Sequence, residues 1–220
     1  MKNLNQLLLD FNYEQNFKDD DFYVGKSNFY AFEMINKWPK WEKNFLNING
    51  EKFSGKSHLV NIFLKKFNGI RIDVNSLNDE NIKSIKPYQN IVLEDLNLNI
   101  NEKLIYSLFN IIDQDNKFLI VTSMKPISEI NFQLDDLRSR TKNCLFANIQ
   151  NPDDELMFAL ILKNLSDRQI TLDKKLIDFI IKRIERSYGK IFEFIYKIDK
   201  ISLKKKKSID FKIINEALEE

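Results

Sequence analysis

The 220 residues carry 34 Lys and Arg against 32 Asp and Glu, a formal charge of +2, with 43% hydrophobic and 30% charged residues. At about 100–200 residues per domain this is one large domain, or one with a small appendage, with enough apolar content for an ordinary core. Near-balanced charge argues against a chain living mainly on nucleic-acid phosphates or acidic lipid, 5 Gly and 4 Pro exclude collagen-like and low-complexity classes, and the single cysteine excludes an internal disulfide scaffold.

Residues 1–16 (MKNLNQLLLDFNYEQN) hold no capped periodic segment and read as a flexible arm. No apolar stretch of signal-peptide type precedes Asp10, and no run approaches eighteen apolar residues, so a cytoplasmic chain is expected. From Ser27 to Trp38 the positions Phe29, Phe32, Ile35 and Trp38 recur at helical spacing. Short apolar runs then follow at Phe45–Ile48, Ile70–Val74, Ile91–Leu93, Phe118–Val121 and Leu145–Ala147. Between them lie helical patterns at Ser57–Phe67, Asn101–Ile112 and around Leu134–Arg140. Strands alternating with helices, without Asn-Gly hairpins, predict βαβ units and a five-stranded parallel sheet. After Asn151-Pro152 the strand pattern stops, and Asp153–Leu165, Asp173–Glu185, Lys190–Leu203 and Asp210–Leu218 read as helices. The expected organisation is an arm (1–16), an α/β domain (17–150) and a small all-helical domain (151–220).

The strongest chemical signal is Gly50-Glu51-Lys52-Phe53-Ser54-Gly55-Lys56-Ser57, which fits G-x-x-x-x-G-K-[ST] without mismatch. In so glycine-poor a chain, a chance match is on the order of one in a thousand. An apolar run ends just before Gly50 and a helical pattern starts at Ser57, the strand–loop–helix order this chemistry needs. Glycines let the backbone wrap phosphate oxygens so that successive N–H groups point inward, and the helix beginning near Lys56 adds its positive end. Lys56 would meet the β- and γ-phosphates and the Ser57 hydroxyl would ligate Mg²⁺. The plain reading, a Gly/Ser turn with a surface lysine, leaves the strand–loop–helix context unused. His58, the only histidine, has no nucleophile or metal-ligand cluster in the sequence and reads as a packing residue. Cys144, inside Asn143-Cys144-Leu145-Phe146, reads as a small buried hydrophobe.

A phosphate loop calls for an acid at the end of a neighbouring strand. Ile91-Val92-Leu93-Glu94-Asp95 supplies two, one for the Mg²⁺ shell and one to orient or deprotonate water. Two acids after a strand are common by chance, and these gain weight from the loop.

These residues together resemble the DnaA-related AAA+ ATPase family, and within it the short Hda type, over nearly the whole chain. Phe22-Tyr23-Val24-Gly25 with Asn28 resembles the segment that packs on adenine, and Gly55-Lys56-Ser57-His58-Leu59 matches the family's form of the phosphate loop. Leu93-Glu94-Asp95 takes the Walker B place, Thr122-Ser123-Met124-Lys125-Pro126 the sensor I place, and Leu137-Arg138-Ser139-Arg140 the box whose last arginine is the family's finger. The helical tail resembles the AAA+ lid. Gln6-Leu7-Leu8-Leu9-Asp10-Phe11 resembles the sliding-clamp peptide Q-x-x-L-x-[FL], in which Gln6, Leu7, Leu9 and Phe11 would meet the clamp. A helix-turn-helix module for duplex DNA is not expected, and Lys204–Lys207 reads as a solvated loop.

Three positions depart from the pattern. Glu94 stands where Asp is usual, Met124 where Asp is usual, and ungapped matching puts Gly189, with Lys190 adjacent, where an arginine is expected. Lysine lacks the planar fork that arginine offers a phosphate. The resemblance therefore implies binding of ADP or ATP with Mg²⁺ through residues 50–58 and Tyr23–Gly25, and weak or negligible intrinsic hydrolysis. It further implies partners in the sliding clamp and DnaA, possible association of like copies, and Arg140 donated toward ATP held by DnaA. The competing expectation is a nucleotide-dependent adaptor, of DnaA or helicase-loader type, without stimulatory activity.

Overall fold

A computed structural model describes residues 22–97 and 101–219. Five parallel strands, β1 (Phe45–Gly50), β2 (Ile70–Asp73), β3 (Asn90–Leu96), β4 (Phe118–Ser123) and β5 (Leu145–Ile149), form one sheet in the order β2-β3-β4-β1-β5. All six residues of β1 are buried, as a central parallel strand covered on both faces requires. The predicted five-stranded parallel sheet is present.

On one face lie α1 (Phe29–Asn36) and α2 (Lys56–Phe67), packing Ile35, Leu59, Val60 and Phe63 against Leu46, Ile48, Val92 and Ile120. On the other lie α3 (Asp79–Ser84), α4 (Glu102–Gln114) and α5 (Asp135–Lys142), with Ile105, Leu108, Phe109 and Leu137 against Phe45, Leu93, Leu119 and Val121. The alternation of these two sets along the strands follows the two-residue period of a pleated strand. Phe63 and Phe109 are fully buried, and truncating either to Ala costs about 3–5 kcal/mol.

Beyond β5 come α6 (Asp154–Asp167), α7 (Lys174–Ile181), α8 (Tyr188–Lys205) and α9 (Phe211–Glu219), which share a separate core that includes Met157, Ile177, Phe194, Ile198 and Ile214. Leu156 and Tyr188 belong instead to the core around α2, so the two helices that carry them join this bundle to the sheet domain. Asp153 caps α6, accepting from Leu156 N at 2.9 Å, and Asp210 accepts from Lys212 and Ile213 N at 3.0 Å before α9.

The helical spacing over Ser27–Trp38 resolves into α1, shorter at both ends. The short helix α3 is not legible in the sequence because it buries only Ile82, too little to produce a period; its local signature is the Asn78 cap on Asn81 N at 2.8 Å. The expected helix Asp173–Glu185 stops at Ile181, and α8 starts two residues before Lys190 because Ser187 caps it. β3 continues past its apolar run through a register shift between Leu93 and Leu96, where Asp95 takes a left-handed φ of 57°.

Candidate functional site

The phosphate loop is built at the C-terminal end of β1, and each special residue in it has a local steric reason. Gly50 closes the strand; a Cβ there would lie 2.8 Å from Ser54 Oγ and 3.0 Å from Ile149 Cβ. Gly55 takes φ 95°, a conformation that glycine adopts without steric penalty, and α2 begins at the next residue. The first N–H groups of such a helix have no intrahelical acceptor, which makes the turn a natural seat for an anion.

Lys56 is 7% exposed. Its Nζ donates to the Gly50 and Glu51 carbonyl oxygens, each at 2.8 Å. Burial lowers its pKa below the ordinary 10.5, against an opposing pull from Asp95, then Glu51 and Glu94. Ser54 is buried with an unpartnered Oγ, and buried hydroxyls are normally hydrogen-bonded. This orphan lies in the loop that would wrap a phosphate.

A cavity of about 520 Å³ opens over this loop. It is lined by Lys52, Phe53, Ser54, Gly55, Lys56, Ser57 and His58, by Tyr23, and by Leu156 and Leu160 of α6. An apolar slot beside a cationic, amide-rich loop has the dimensions and chemistry for a flat ring attached to phosphates. Asn28 supports Tyr23: its Oδ1 accepts from Gly25 N at 2.8 Å and its Nδ2 donates to Tyr23 O at 2.9 Å. Gly25 packs between Tyr23 and α6, where a Cβ would lie 3.5 Å from Leu156 Cβ and 3.9 Å from Tyr23 Cε1; Val24 is exposed beside it, and neither lines the cavity. His58 is buried and meets the Phe22 ring edge-on at 5.2 Å between centroids.

The two acids separate. Asp95, turned by the irregularity in β3 and fixed by its N–H donating to Thr122 Oγ1 at 2.9 Å, reaches the cavity. Glu94 is buried and ion-paired through Oε2 with Arg71 Nε at 3.3 Å, while its Oε1 has no partner. Ser57 and Asp95 line the cavity and are hard oxygen donors of the kind Mg²⁺ takes alongside phosphates, whereas Glu94, expected beside them, does not line it. Met124, exposed at the end of β4, lines the same cavity. Asn47 holds this strand end: its Nδ2 donates to Val121 O at 3.0 Å and Ser123 Oγ at 2.9 Å, and its Oδ1 accepts from Ile127 N at 3.0 Å.

Other expected residues lie elsewhere. The Glu51 side chain turns to the start of α8, accepting from Gly189 N at 3.0 Å. Lys190 is solvent-facing and pairs with Glu193 at 2.9 Å. Arg140 sits on α5, half-buried, paired with Asp113 of α4 and lying 5.8 Å from the Tyr106 ring centroid. Gln6, Leu7, Leu9 and Phe11 lie outside the described residues. Cys144 is buried and its thiol is pushed up to about 12, the inert thiol that its apolar run implies. Leu156, Leu160, Tyr188 and Phe192 complete the cavity although nothing in the sequence marks them as site residues; each sits in a helical apolar pattern that looks like core. No helix among the described residues is long and apolar enough to cross a membrane.

No family model matches the chain. In sequence it is similar to the chromosomal replication initiator protein DnaA of Thermoanaerobacter sp. strain X514, 25% identical over 227 residues covering 91% of this chain and 51% of that one. DnaA of Helicobacter hepaticus is 28% identical over 197 residues, covering 78% and 42%. The chain spans about half the length, or less, of these curated relatives. In fold it is similar to domain III of Thermotoga maritima DnaA, with TM-score 0.74 at 19% identity, covering 93% of this chain and 96% of that one. AMPPCP-bound DnaA from Aquifex aeolicus gives 0.67 at 20% identity, covering 83% and 65%, and a Thermotoga maritima RuvB variant 0.67 at 15%, covering 90% and 71%. The α/β core, the place of the phosphate loop and these sequence relationships together make the chain a homologue, at about a quarter identity, of the AAA+ domain of the replication initiator DnaA.

Proposed function

We propose that this chain is an Hda-like, adenine-nucleotide-binding regulator of replication initiation that engages the sliding clamp and acts on DnaA. The single observation that carries the nucleotide part is the cavity over residues 52–58, which sets a cationic loop beside the side chains of Tyr23, Leu156 and Leu160. Adenine would enter the slot, and the loop amides would take the diphosphate as Lys56 exchanges two carbonyl partners for phosphate oxygens. When bound, Mg²⁺ would supply counter-charge to the phosphates, held by Ser57 and Asp95.

The exposed Met124 and the glycine at 189 leave intrinsic hydrolysis weak, because neither offers charge to a transferring phosphoryl group. On this reading the chain acts in trans. Gln6, Leu7, Leu9 and Phe11 would anchor the chain to the clamp, and Arg140 would be donated to ATP held by DnaA. An ion pair as exposed as Arg140–Asp113 is worth about 0–1 kcal/mol, so Asp113 does not prevent that donation.

The same pair favours a second reading. An arginine already satisfied within its own chain is consistent with an adaptor that docks DnaA or a helicase without stimulating hydrolysis. The test is hydrolysis of DnaA-bound ATP with and without DNA-loaded clamp and this protein. Clamp-dependent acceleration supports the regulator; clamp or DnaA binding with an unchanged rate supports the adaptor.

A further inference from the structure

The phosphate loop is fastened to the helical bundle by a charge of its own. Both oxygens of the Glu51 carboxylate face the first turn of α8. Oε1 accepts from the Ser187 hydroxyl and, at 3.0 Å, from Gly189 N, and Oε2 accepts from Tyr188 N at 3.3 Å. A carboxylate against the N–H groups of a helix start gains from the helix dipole and forms charge-assisted hydrogen bonds. Two independent features of the same junction agree. Phe53 of the loop stacks on Phe192 of α8, with ring centroids 4.8 Å apart and planes 6° from parallel. At Gly189 a Cβ would lie 3.1 Å from Glu51 Oε1, so a larger residue there would crowd the carboxylate and push it by a few tenths of an ångström.

We propose that Glu51 is a positioning residue that latches α8 to the phosphate loop before any nucleotide arrives, so that the placing of the helical bundle does not depend on a third phosphate. At 189, where the resemblance leads one to expect an arginine, the chain has glycine, and the anion at the helix start is a side chain of the loop. A triphosphate brings no additional group to α8, since the described residues at its start are already engaged with Glu51. Lys190, the adjacent cation, does not line the cavity over the phosphate loop. The bundle would remain docked in the empty protein, and the site would take adenosine di- and triphosphates with similar affinity. This last consequence rests on the nucleotide reading above; the latch itself does not.

Amide hydrogen exchange on the full chain separates the two. The Tyr188 and Gly189 amides are expected to be protected equally without nucleotide, with ADP and with AMPPCP, and the two affinities by calorimetry to agree within about threefold. Glu51→Ala should speed exchange at these two amides by about tenfold while leaving the Val92 and Ile120 amides of the sheet unchanged. Glu51→Gln, which keeps an acceptor, should recover part of the protection. Should Glu51→Ala fail to fold, Gly189→Ala loosens the same junction from the other side and should accelerate exchange at Tyr188. Protection that survives Glu51→Ala, or that arises only with AMPPCP, overturns the latch. Protection in the empty protein that vanishes in Glu51→Ala, with no heat of binding from either nucleotide, sustains the latch and removes the nucleotide reading.

Discussion

The Lys56 ammonium donates to the Gly50 carbonyl oxygen at 2.8 Å, so the cation that a phosphate would meet is held by the loop that carries it. Its buried position holds the pKa below 10.5. Phosphate would favour the charged form, so binding takes up a proton in the window between the lowered value and the nucleotide-bound one. ADP affinity should therefore begin to fall at a pH below 10.5 as Lys56 deprotonates in the free protein. A guanidinium stays charged throughout that range, so Lys56→Arg should bind with a flatter pH profile. The stability sign is opposite. A depressed folded-state value means that the unfolded chain holds more protons, so this lysine's contribution to stability rises with pH from the lowered value up to 10.5. Calorimetric titration and urea denaturation across pH 7–10.5, a range set about the ordinary lysine value, read the two effects.

Loss of the ammonium altogether has a larger consequence. Hydrogen bonds to charged groups are worth about 1.5–3 kcal/mol, so Lys56→Ala should weaken ADP binding by roughly 10- to 100-fold. An affinity equal to that of the parent would place the phosphates somewhere other than this loop.

Asn28 is buried and spans Gly25 N and Tyr23 O. Removing its amide in Asn28→Ala leaves both backbone groups to find other partners, at about 1–3 kcal/mol in urea denaturation. Tyr23, which it supports, belongs to the slot proposed for adenine and not to the phosphate loop. ADP affinity should fall while inorganic pyrophosphate affinity stays within about twofold, a comparison that a general loss of folding would not reproduce.

Arg140 is expected to matter only in trans. Arg140→Ala should leave ADP titration and clamp pull-down unchanged and reduce stimulated hydrolysis of DnaA-bound ATP by up to roughly 10³–10⁵, the range over which an arginine finger acts. Asp113→Asn, which weakens the intramolecular pair, should retain stimulation. Equal stimulation by the parent and Arg140→Ala would take the arginine out of the mechanism.

Burial pushes the Cys144 thiol up to about 12 from 9.0. Thiolate is the reactive form, so maleimide or DTNB labelling at pH 8 should be negligible in the folded protein and complete in denaturant. Fast labelling without denaturant would mean that α5 and β5 open locally around it.

The local parts of this molecule are legible in its amino-acid order. The inner strands β3 and β4 are short apolar runs, because a parallel strand covered on both faces must be apolar over most of its length, while the edge strand β2 alternates its two isoleucines with the exposed Arg71 and Asp73. The phosphate loop is legible for a related reason: contiguous residues make it, with Gly55 set by its own φ and Lys56 held by the loop's carbonyls. Asn28 and Tyr23 are marked by resemblance, yet the hydrogen bonds that join them carry no sequence period.

What sequence could not supply lies between segments far apart in the chain. Glu51 reads from its place in the motif as a loop residue facing phosphate and instead meets Gly189, because whether a loop side chain turns inward or outward depends on what packs above it. Glu94 and Asp95 are adjacent and chemically alike, and only the irregularity in β3 sends one toward the cavity and pairs the other with Arg71. Leu156 and Phe192 look like any apolar helix positions until α6 and α8 fold back over the loop. Backbone propensity and hydrophobic period act over a few residues and are written locally. The partner of a charge, or the far wall of a cavity, is chosen only when distant elements pack.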